Sequence, residues 1–282
     1  YNRSRKENIN AIMNANLRVV TRALRLSVFP AAVLLLQPAL GQVVAVSGVT
    51  ALSADGQGCC YVVAGSSVAK YSARLELLAR YTCTFGKIES IDASDPFKIS
   101  LFCKDFLRVQ LLDNKLSALG NPVFLPDAGA LRPAAVCRSS SNGIWIADAY
   151  RRQLLHLDFT LNALREVASL DACTNSAEQL VSSMAERDGN VFLCLRGGSI
   201  AVFDKFGALL HLFSVPNSVT WFDVQGGKLY YLADGNLYAQ NLLAWSEPPN
   251  LVAAGVEHCA VAGSSIYVYA NGTLAKKTPL QP

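Results

Sequence analysis

The chain has only three histidines among its 282 residues, and this scarcity limits the catalytic mechanisms open to it. A hydrolase triad needs a histidine as general base. His156 and His211 each lie in a leucine-rich, strand-like run, and His258 stands beside a cysteine. These settings are typical of half-buried strand residues. The sequence also lacks G-x-S-x-G, H-E-x-x-H and glycine-rich phosphate-binding motifs, so it shows no recognisable nucleophile, zinc-protease or nucleotide site.

None of the eight cysteines forms a C-x-x-C pair, which argues against a zinc cluster. Four lie inside apolar, strand-like runs, namely Cys60, Cys103, Cys194 and Cys259. Cysteine in such a run packs as a small hydrophobic residue, so we expect buried free thiols. One or two disulfides, involving Cys83 or Cys173, are the alternative if the protein is exported to an oxidising compartment.

Residues 1–41 have the pattern of a secretory signal peptide preceded by a short extension. Three arginines precede the apolar run Leu26–Leu36, and Ala39–Gly41 is a small-x-small cleavage site. Met13 is the expected start, and the run is too short for a comfortable membrane span. We therefore predict a mature chain of residues 42–282, with an uncleaved N-terminal anchor as the alternative.

The formal net charge of +4 comes from this first segment. Residues 1–41 hold six basic groups and one acid, so the other 241 residues carry 19 basic and 20 acidic groups, a net charge near −1. Nucleic-acid binding needs a clustered cationic surface, and we therefore expect no nucleic-acid partner. No later apolar run reaches membrane-spanning length and no Pro/Ser/Gly-rich linker divides the chain, so residues 42–282 are predicted to form one domain.

A strand–turn–strand unit recurs about every 40 residues after the first segment. Its copies are Gly58–Leu75, Lys98–Leu116, Gly143–Leu161 and Asn190–Gly207, with shorter versions at Lys228–Asn241 and Ser265–Leu274. In three copies the second strand ends in an aspartate turn, at Asp113, Asp158 and Asp204. A unit of this size cannot bury both faces of its own sheet, so neighbouring units must supply the core.

A further short strand precedes each unit, and a tight turn joins the two. These first strands are predicted at Val49–Leu52, Ile88–Ile91, Ala134–Cys137, Leu180–Met184, Val219–Val224 and Cys259–Ala262. Segments such as Leu75–Tyr81 and Ala163–Ser169 then supply a fourth strand. Four antiparallel strands in each of six units predict an all-β, six-bladed β-propeller.

Ring closure supports the count of six. The last unit runs out after Lys277 without a fourth strand, and Val43–Ser47 can fill that place by pairing with the last blade. Seven blades are the alternative, because Ala118–Ala130 belongs to no unit. We interpret that stretch as a long loop between blades.

Two segments carry a resemblance to known proteins. The chain as a whole resembles exported propellers of the NHL and YVTN-like group. Asp95–Ser117 (DPFKISLFCKDFLRVQLLDNKLS) and Gly143–Asp148 (GIWIAD) also resemble uncharacterised periplasmic propellers of Gram-negative bacteria. The resemblance covers nearly all of residues 43–277. It implies a fold and a periplasmic or outer-membrane-associated location, and it transfers no active-site residue.

Two neighbouring loops are the best candidates for a binding surface. In a propeller, loops between second and third strands share a face with the linkers into the next blade, and binding residues are commonly found on such loops. Lys104–Arg108 and Asp148–Arg152 both combine arginine with an aromatic ring, which protein interfaces favour. The predicted binding residues, here called the loop patch, are Lys104, Phe106, Arg108, Tyr150, Arg151 and Arg152.

The residues give less support to an enzymatic function. A propeller hydrolase, lyase or lactonase with a channel metal needs several carboxylates that converge on the channel. Glu89, Asp92, Glu186 and Asp223 fall at different depths of the first strands, so we predict no metal site, no cofactor and no catalytic residue. That enzyme class stays the alternative.

The function expected from the sequence is a non-catalytic protein-binding platform in the cell envelope. The expected partner is another envelope protein, through which the chain would associate peripherally with a membrane; a small-molecule ligand is not expected. By analogy with other periplasmic propellers, the complex could be one for outer-membrane assembly or secretion.

Overall fold

A computed structural model describes residues 43–160, 162–174 and 181–277. Within these ranges the chain forms six four-stranded antiparallel sheets. The chain is a six-bladed β-propeller. The predicted signal peptide and its boundary at residue 42 lie outside the described residues. Among the described residues there is no helix with the length and apolar character needed to cross a bilayer.

In blades 1 to 5 the strands run in chain order from the propeller axis outward, and the first strands of neighbouring blades contact one another. Blades 1 and 2 contain β2 (Ala51–Ala54), β3 (Cys60–Ala64), β4 (Ser67–Tyr71), β5 (Leu77–Thr82), β6 (Ser90–Asp92), β7 (Ile99–Cys103), β8 (Arg108–Leu112) and β9 (Val123–Phe124). Blades 3 and 4 contain β10 (Pro133–Ser139), β11 (Gly143–Asp148), β12 (Gln153–Asp158), β13 (Ala163–Ser169), β14 (Val181–Arg187), β15 (Asn190–Leu195), β16 (Ser199–Asp204) and β17 (Leu209–Ser214). Blades 5 and 6 contain β18 (Val219–Gln225), β19 (Lys228–Ala233), β20 (Asn236–Asn241), β21 (Asn250–Ala254), β22 (His258–Ala262), β23 (Ser265–Ala270), β24 (Thr273–Lys277) and, from the start of the described chain, β1 (Val43–Ala45).

The predicted ring closure is confirmed. The strand β1 pairs antiparallel with β24, so that Val44 lies opposite Leu274. Val46 N also donates to Gly272 O over 2.9 Å. Because β1 supplies the fourth strand of blade 6, the six sheets account for the whole ring, and the seven-blade alternative is wrong.

One segment was assigned incorrectly from the sequence. Within Ala118–Ala130, the short strand β9 (Val123–Phe124) forms the outer edge of blade 2, where Phe124 lies opposite Arg108. Prolines at positions 122 and 126 flank this strand. A two-residue strand between prolines shows no alternating pattern, which explains why it reads as a loop.

Tight turns form where the sequence has Asp-Gly or Asn-Gly. Asp188 (φ 51°) and Gly189 (φ 76°) join β14 to β15, and Asn271 (φ 50°) and Gly272 (φ 76°) join β23 to β24. Two successive residues with positive φ define the hairpin turn whose twist matches that of the flanking strands. The aspartate turns also form: Asp204 Oδ1 accepts from the backbone N–H groups of residues 206 and 208 at 2.8 and 2.9 Å.

The hydrophobic core lies between the blades. Six clusters of buried side chains each combine residues of two neighbouring blades. Tyr61, Trp145 and Tyr267 are among the largest fully buried side chains. This arrangement confirms that each sheet depends on its neighbours for burial. In the structure all eight cysteines carry free thiols, and six of them are buried.

Candidate functional site: the loop face and the central channel

Loops between second and third strands lie on the same face as the linkers into the next blade, as backbone hydrogen bonds between them demonstrate. Ile88 N donates to Gly65 O over 2.9 Å where blade 1 leads into blade 2. Val215 N donates to Gly198 O over 2.9 Å where blade 4 leads into blade 5. We call this side of the propeller the loop face. It carries all six residues of the loop patch.

Phe106 is held in a fixed position on the loop face. It ends a 3-10 turn, Lys104–Phe106, after which Leu107 takes a left-handed conformation (φ 52°). The ring is 51% exposed and lies against Gly86 of the preceding linker. Gly86 has φ +140°, and a β-carbon there would overlap the ring of Phe106. Glycine is therefore required at this position by both backbone conformation and contact.

Tyr150 is positioned by a buried carboxylate, Asp148, at the end of β11. Asp148 Oδ1 accepts hydrogen bonds from the backbone N–H groups of Tyr150 (2.9 Å) and Arg151 (3.0 Å). Its Oδ2 accepts from Leu131 N (2.6 Å) and Arg132 N (3.2 Å) in the linker. The ring of Tyr150 is 71% exposed and the side chain of Leu131 is 47% exposed. One fully buried carboxylate thus joins the loop to the linker and holds both apolar side chains on the surface.

The basic residues of the loop patch fall into two groups. Arg151 forms a salt bridge with Glu166 (3.1 Å) and Arg152 forms one with Asp171 (2.5 Å). The hydrogen bond from Arg152 lowers the pKa of the Asp171 carboxyl group. These two arginines bind within their own blade, so they are less available to a partner than the sequence suggested.

The other two cations have free charges in the described part of the chain. Arg108 lies over the Phe124 ring at 5.4 Å from its centroid, a cation–π contact. Neither Arg108 nor Lys104 forms a salt bridge with another described residue.

Leu131 was missed by the sequence reasoning, which considered the second-to-third-strand loops and not the linkers. Its apolar side chain directly before Arg132-Pro133 is the signal that could have identified it.

The first strands enclose a cavity of about 400 Å³ along the propeller axis. At the loop face its lining includes the exposed residues Glu89 and Glu257, which stand at the beginnings of the first strands of blades 2 and 6. At the opposite end it includes Asp92, Arg187 and Asp223. The carboxylates therefore lie at two different ends of the channel, as their sequence positions predicted.

Arg187 is the positive charge at the channel end opposite the loop face, where Asp92 and Asp223 also lie. Its Nη2 atom lies 2.8 Å from Oδ1 of Asp223. Burial would lower the pKa of Arg187, but Asp223 and Asp92 outweigh it and raise the pKa. Burial raises the pKa of Asp223. Burial also acts to raise the pKa of Asp92, yet the Arg187 charge and hydrogen bonds from Ser94 and Arg138 keep that pKa below its ordinary value.

Glu186 has internal hydrogen-bond partners, since its carboxylate accepts from Ser140 and from the indole N–H of Trp145. Over the described ranges, no group of three or more His, Cys, Asp or Glu residues has an arrangement that could hold a metal ion. These carboxylates instead bind internal partners or lie at opposite ends of the channel.

The histidines occupy three different settings. His156 is buried, with its ring 4.7 Å from that of Trp145, and burial lowers its pKa. His258 is half-buried, and burial likewise lowers its pKa. His211 is exposed, in contrast to the half-buried position expected, because β17 is the outermost strand of blade 4.

Comparisons with known proteins support the fold alone. No family model matches the chain, and no curated protein sequence matches it. A streptogramin B lyase structure matches with a TM-score of 0.55 at 11% identity, covering 86% of each chain. Virginiamycin B lyase from Staphylococcus aureus matches with a TM-score of 0.56 at 10% identity, covering 86% of this chain and 88% of the lyase. The WD40 domain of Neurospora crassa Pan2 matches with a TM-score of 0.53 at 10% identity, covering 79% and 72%.

These identities are too low to transfer an activity or a partner. The neighbours include lyases and a WD40 domain, all of which share the general architecture. They do not support the narrower resemblance to the NHL and YVTN-like group, nor a Gram-negative periplasmic origin.

Proposed function

We propose that this protein is a non-catalytic platform that docks another protein on the loop face of blades 2 and 3. The observation that carries the proposal is the grouping of Phe106, Leu131 and Tyr150, three large apolar side chains exposed in loops of the same face. Lys104 and Arg108 accompany them without salt bridges to described residues. Aromatic and arginine side chains of this kind commonly supply most of the binding energy of a protein interface.

Rigidity strengthens this proposal. Phe106 lies against Gly86, and Asp148 holds the backbone N–H groups of Tyr150 and Arg151. A side chain that is already held in its binding position loses less conformational entropy when a partner binds. The free cations favour a partner surface that offers carboxylates around an apolar centre, because Lys104 and Arg108 can then gain opposite charges.

We further propose that the partner is a protein of the cell envelope and that the chain acts in the periplasm or on the periplasmic side of the outer membrane. The support is the signal-like pattern of residues 1–41. An accessory role in an outer-membrane assembly or secretion complex would fit such a platform by analogy. Association with a membrane would then be peripheral, through the partner.

Affinity capture from native membranes, followed by mass spectrometry, tests the proposal. A variant with Phe106→Ala and Tyr150→Ala should lose a partner that the unchanged protein retains. The matched control carries Phe206→Ala and Leu243→Ala, which alter exposed apolar residues in third-to-fourth-strand loops on the opposite face. The control should retain the partner. Loss in the control, or retention in the loop-patch variant, would contradict docking on the loop face.

Binding should then be measured with the purified partner. We expect the double loop-patch variant to weaken affinity by at least tenfold, corresponding to about 1.4 kcal/mol. Circular dichroism and thermal unfolding should be unchanged, because both rings are more than half exposed.

The catalytic alternative is a hydrolase, lyase or lactonase with a channel metal. Two of the similar solved structures are lyases, but their likeness extends to the fold only. The separation of Glu89 from Asp92 and Asp223, and the pairing of Asp223 with Arg187, make this alternative weaker. Stoichiometric, chelator-sensitive metal in the purified protein would favour it over the platform.

A further inference from the structure

Cys83 and Cys103 bring their sulfur atoms within 3.5 Å of each other. Cys83 directly follows β5, in the linker between blades 1 and 2, and Cys103 is the last residue of β7. Both thiols are buried in the cluster between blades 1 and 2. The backbone N–H of Cys83 donates to Ser66 O over 2.8 Å, which fixes the linker against blade 1.

The geometry is close to that of a covalent bridge. A disulfide has a sulfur–sulfur distance of about 2.05 Å, so the two atoms need to approach by about 1.5 Å. The neighbouring pair Cys59 and Cys60 is less suitable, because these residues pack in different clusters on opposite sides of blade 1. The contact between Cys83 and Cys103 therefore singles out one pair among the eight free thiols.

We propose that Cys83 and Cys103 are a disulfide-forming pair, oxidised by thiol–disulfide exchange with a disulfide oxidant while the chain folds. The thiolate of one cysteine attacks the oxidant disulfide and releases one thiol. The second cysteine then attacks the mixed disulfide and releases the other. In total the two cysteines lose two protons and two electrons, and the oxidant disulfide is reduced to two thiols.

Folding sets the time at which this reaction can occur. Burial, with contributions from Cys83 and Asp105, raises the pKa of Cys103 to about 12. Little reactive thiolate is therefore present once blades 1 and 2 have packed. The bond forms during folding, and the packed blades then shield it from reductants. Such a bond is structural and not a rapidly reversible switch.

The bridge would stiffen the loop face. Cys103 directly precedes the turn that carries Phe106, and Cys83 lies three residues before Gly86, against which the Phe106 ring packs. The disulfide would join the two segments on either side of this contact. This consequence depends on the packing of Phe106 and does not require the proposed docking function.

Peptide mapping tests the bond directly. The full chain is unfolded, reduced, and refolded either with oxidised and reduced glutathione or with dithiothreitol, after which free thiols are alkylated. Trypsin cleaves after Arg80, Lys87, Lys98 and Lys104, which places the two cysteines in the separate peptides 81–87 and 99–104. We expect these peptides to be disulfide-linked after refolding with glutathione and separate after dithiothreitol. Full alkylation of both cysteines under both conditions would overturn the proposal.

Variants separate a specific bond from general oxidation. Cys83→Ser should abolish the linked peptide, whereas Cys194→Ser, which alters a buried thiol in blade 4, should retain it. The oxidised protein should melt several degrees above the reduced one, and Cys83→Ser should remove this difference. Equal melting temperatures for the oxidised and reduced forms of the unchanged protein would contradict a bond that stabilises the fold. The peptide map of the unchanged protein remains decisive if a variant fails to fold.

Discussion

Arg187 of blade 4 and Asp223 of blade 5 form a salt bridge at the channel end opposite the loop face, with Nη2 2.8 Å from Oδ1. Both side chains are largely buried. The same guanidinium favours the charged form of Asp92 in blade 2. One cation therefore pairs with Asp223 and acts through its charge on Asp92, so that it influences carboxylates of two other blades where their first strands end.

Replacement of this cation should destabilise the propeller. In Arg187→Met the Asp223 carboxylate loses its partner in a low-polarity site, and we expect the free energy of unfolding to fall by about 3 kcal/mol. Urea unfolding followed by fluorescence measures the change. The double variant with Asp223→Leu should recover much of the loss, because the buried carboxylate that pairs directly with Arg187 is then absent. A single variant as stable as the unchanged protein would show that the bridge contributes nothing.

His156 should make stability depend on pH. Burial lowers its pKa, so the folded state favours the neutral ring. Below the unfolded pKa of about 6.5 the unfolded chain binds more protons, and stability contributed by His156 is lost as the pH falls. We expect His156→Gln to reduce the difference in unfolding free energy between pH 7.5 and pH 5.5. His211→Gln is the control, since it makes the same replacement at an exposed histidine.

Asp148 should be essential to the order of the loop face. Asp148→Ala removes the acceptor of four backbone hydrogen bonds in a fully buried position, for an expected cost of about 2 kcal/mol. Hydrogen exchange should accelerate at Leu131 and Tyr150 before the rest of blade 3. The control Asp204→Ala removes a turn acceptor that is partly exposed, and its effect should be smaller. Unchanged exchange at both positions would show that other contacts hold the loop.

Ring closure should depend on the inward side of β1. Val44 packs against the cluster shared by blades 6 and 1, whereas Val43 is 58% exposed. Val44→Asp should lower the free energy of unfolding by about 2 kcal/mol, since it loses apolar burial and introduces a charge. Val43→Asp on the same strand should have little effect. Chemical denaturation of the two variants compares them directly, and equal stabilities would mean that closure through β1 is unimportant.

Local patterns in the sequence were enough to determine the architecture. Alternating apolar strands and the tight turns between them predicted the units, because each pattern depends on a few neighbouring residues. The count of six and the place of β1 then followed from a last unit without a fourth strand. The same patterns identified the loops that carry Phe106 and Tyr150. They failed at Val123–Phe124, where the strand is too short to show a period.

Only the tertiary structure decided which residues meet across blades and between loops and linkers. The contact of Phe106 with Gly86, the pairing of Arg187 with Asp223 and the approach of Cys83 to Cys103 join segments that lie 20 to 36 positions apart. The structure likewise revealed that Arg151 and Arg152 already have partners, whereas Arg108 rests on an aromatic ring. Such contacts depend on the angle and register at which neighbouring sheets pack. The periodicity of a single strand contains no information about either.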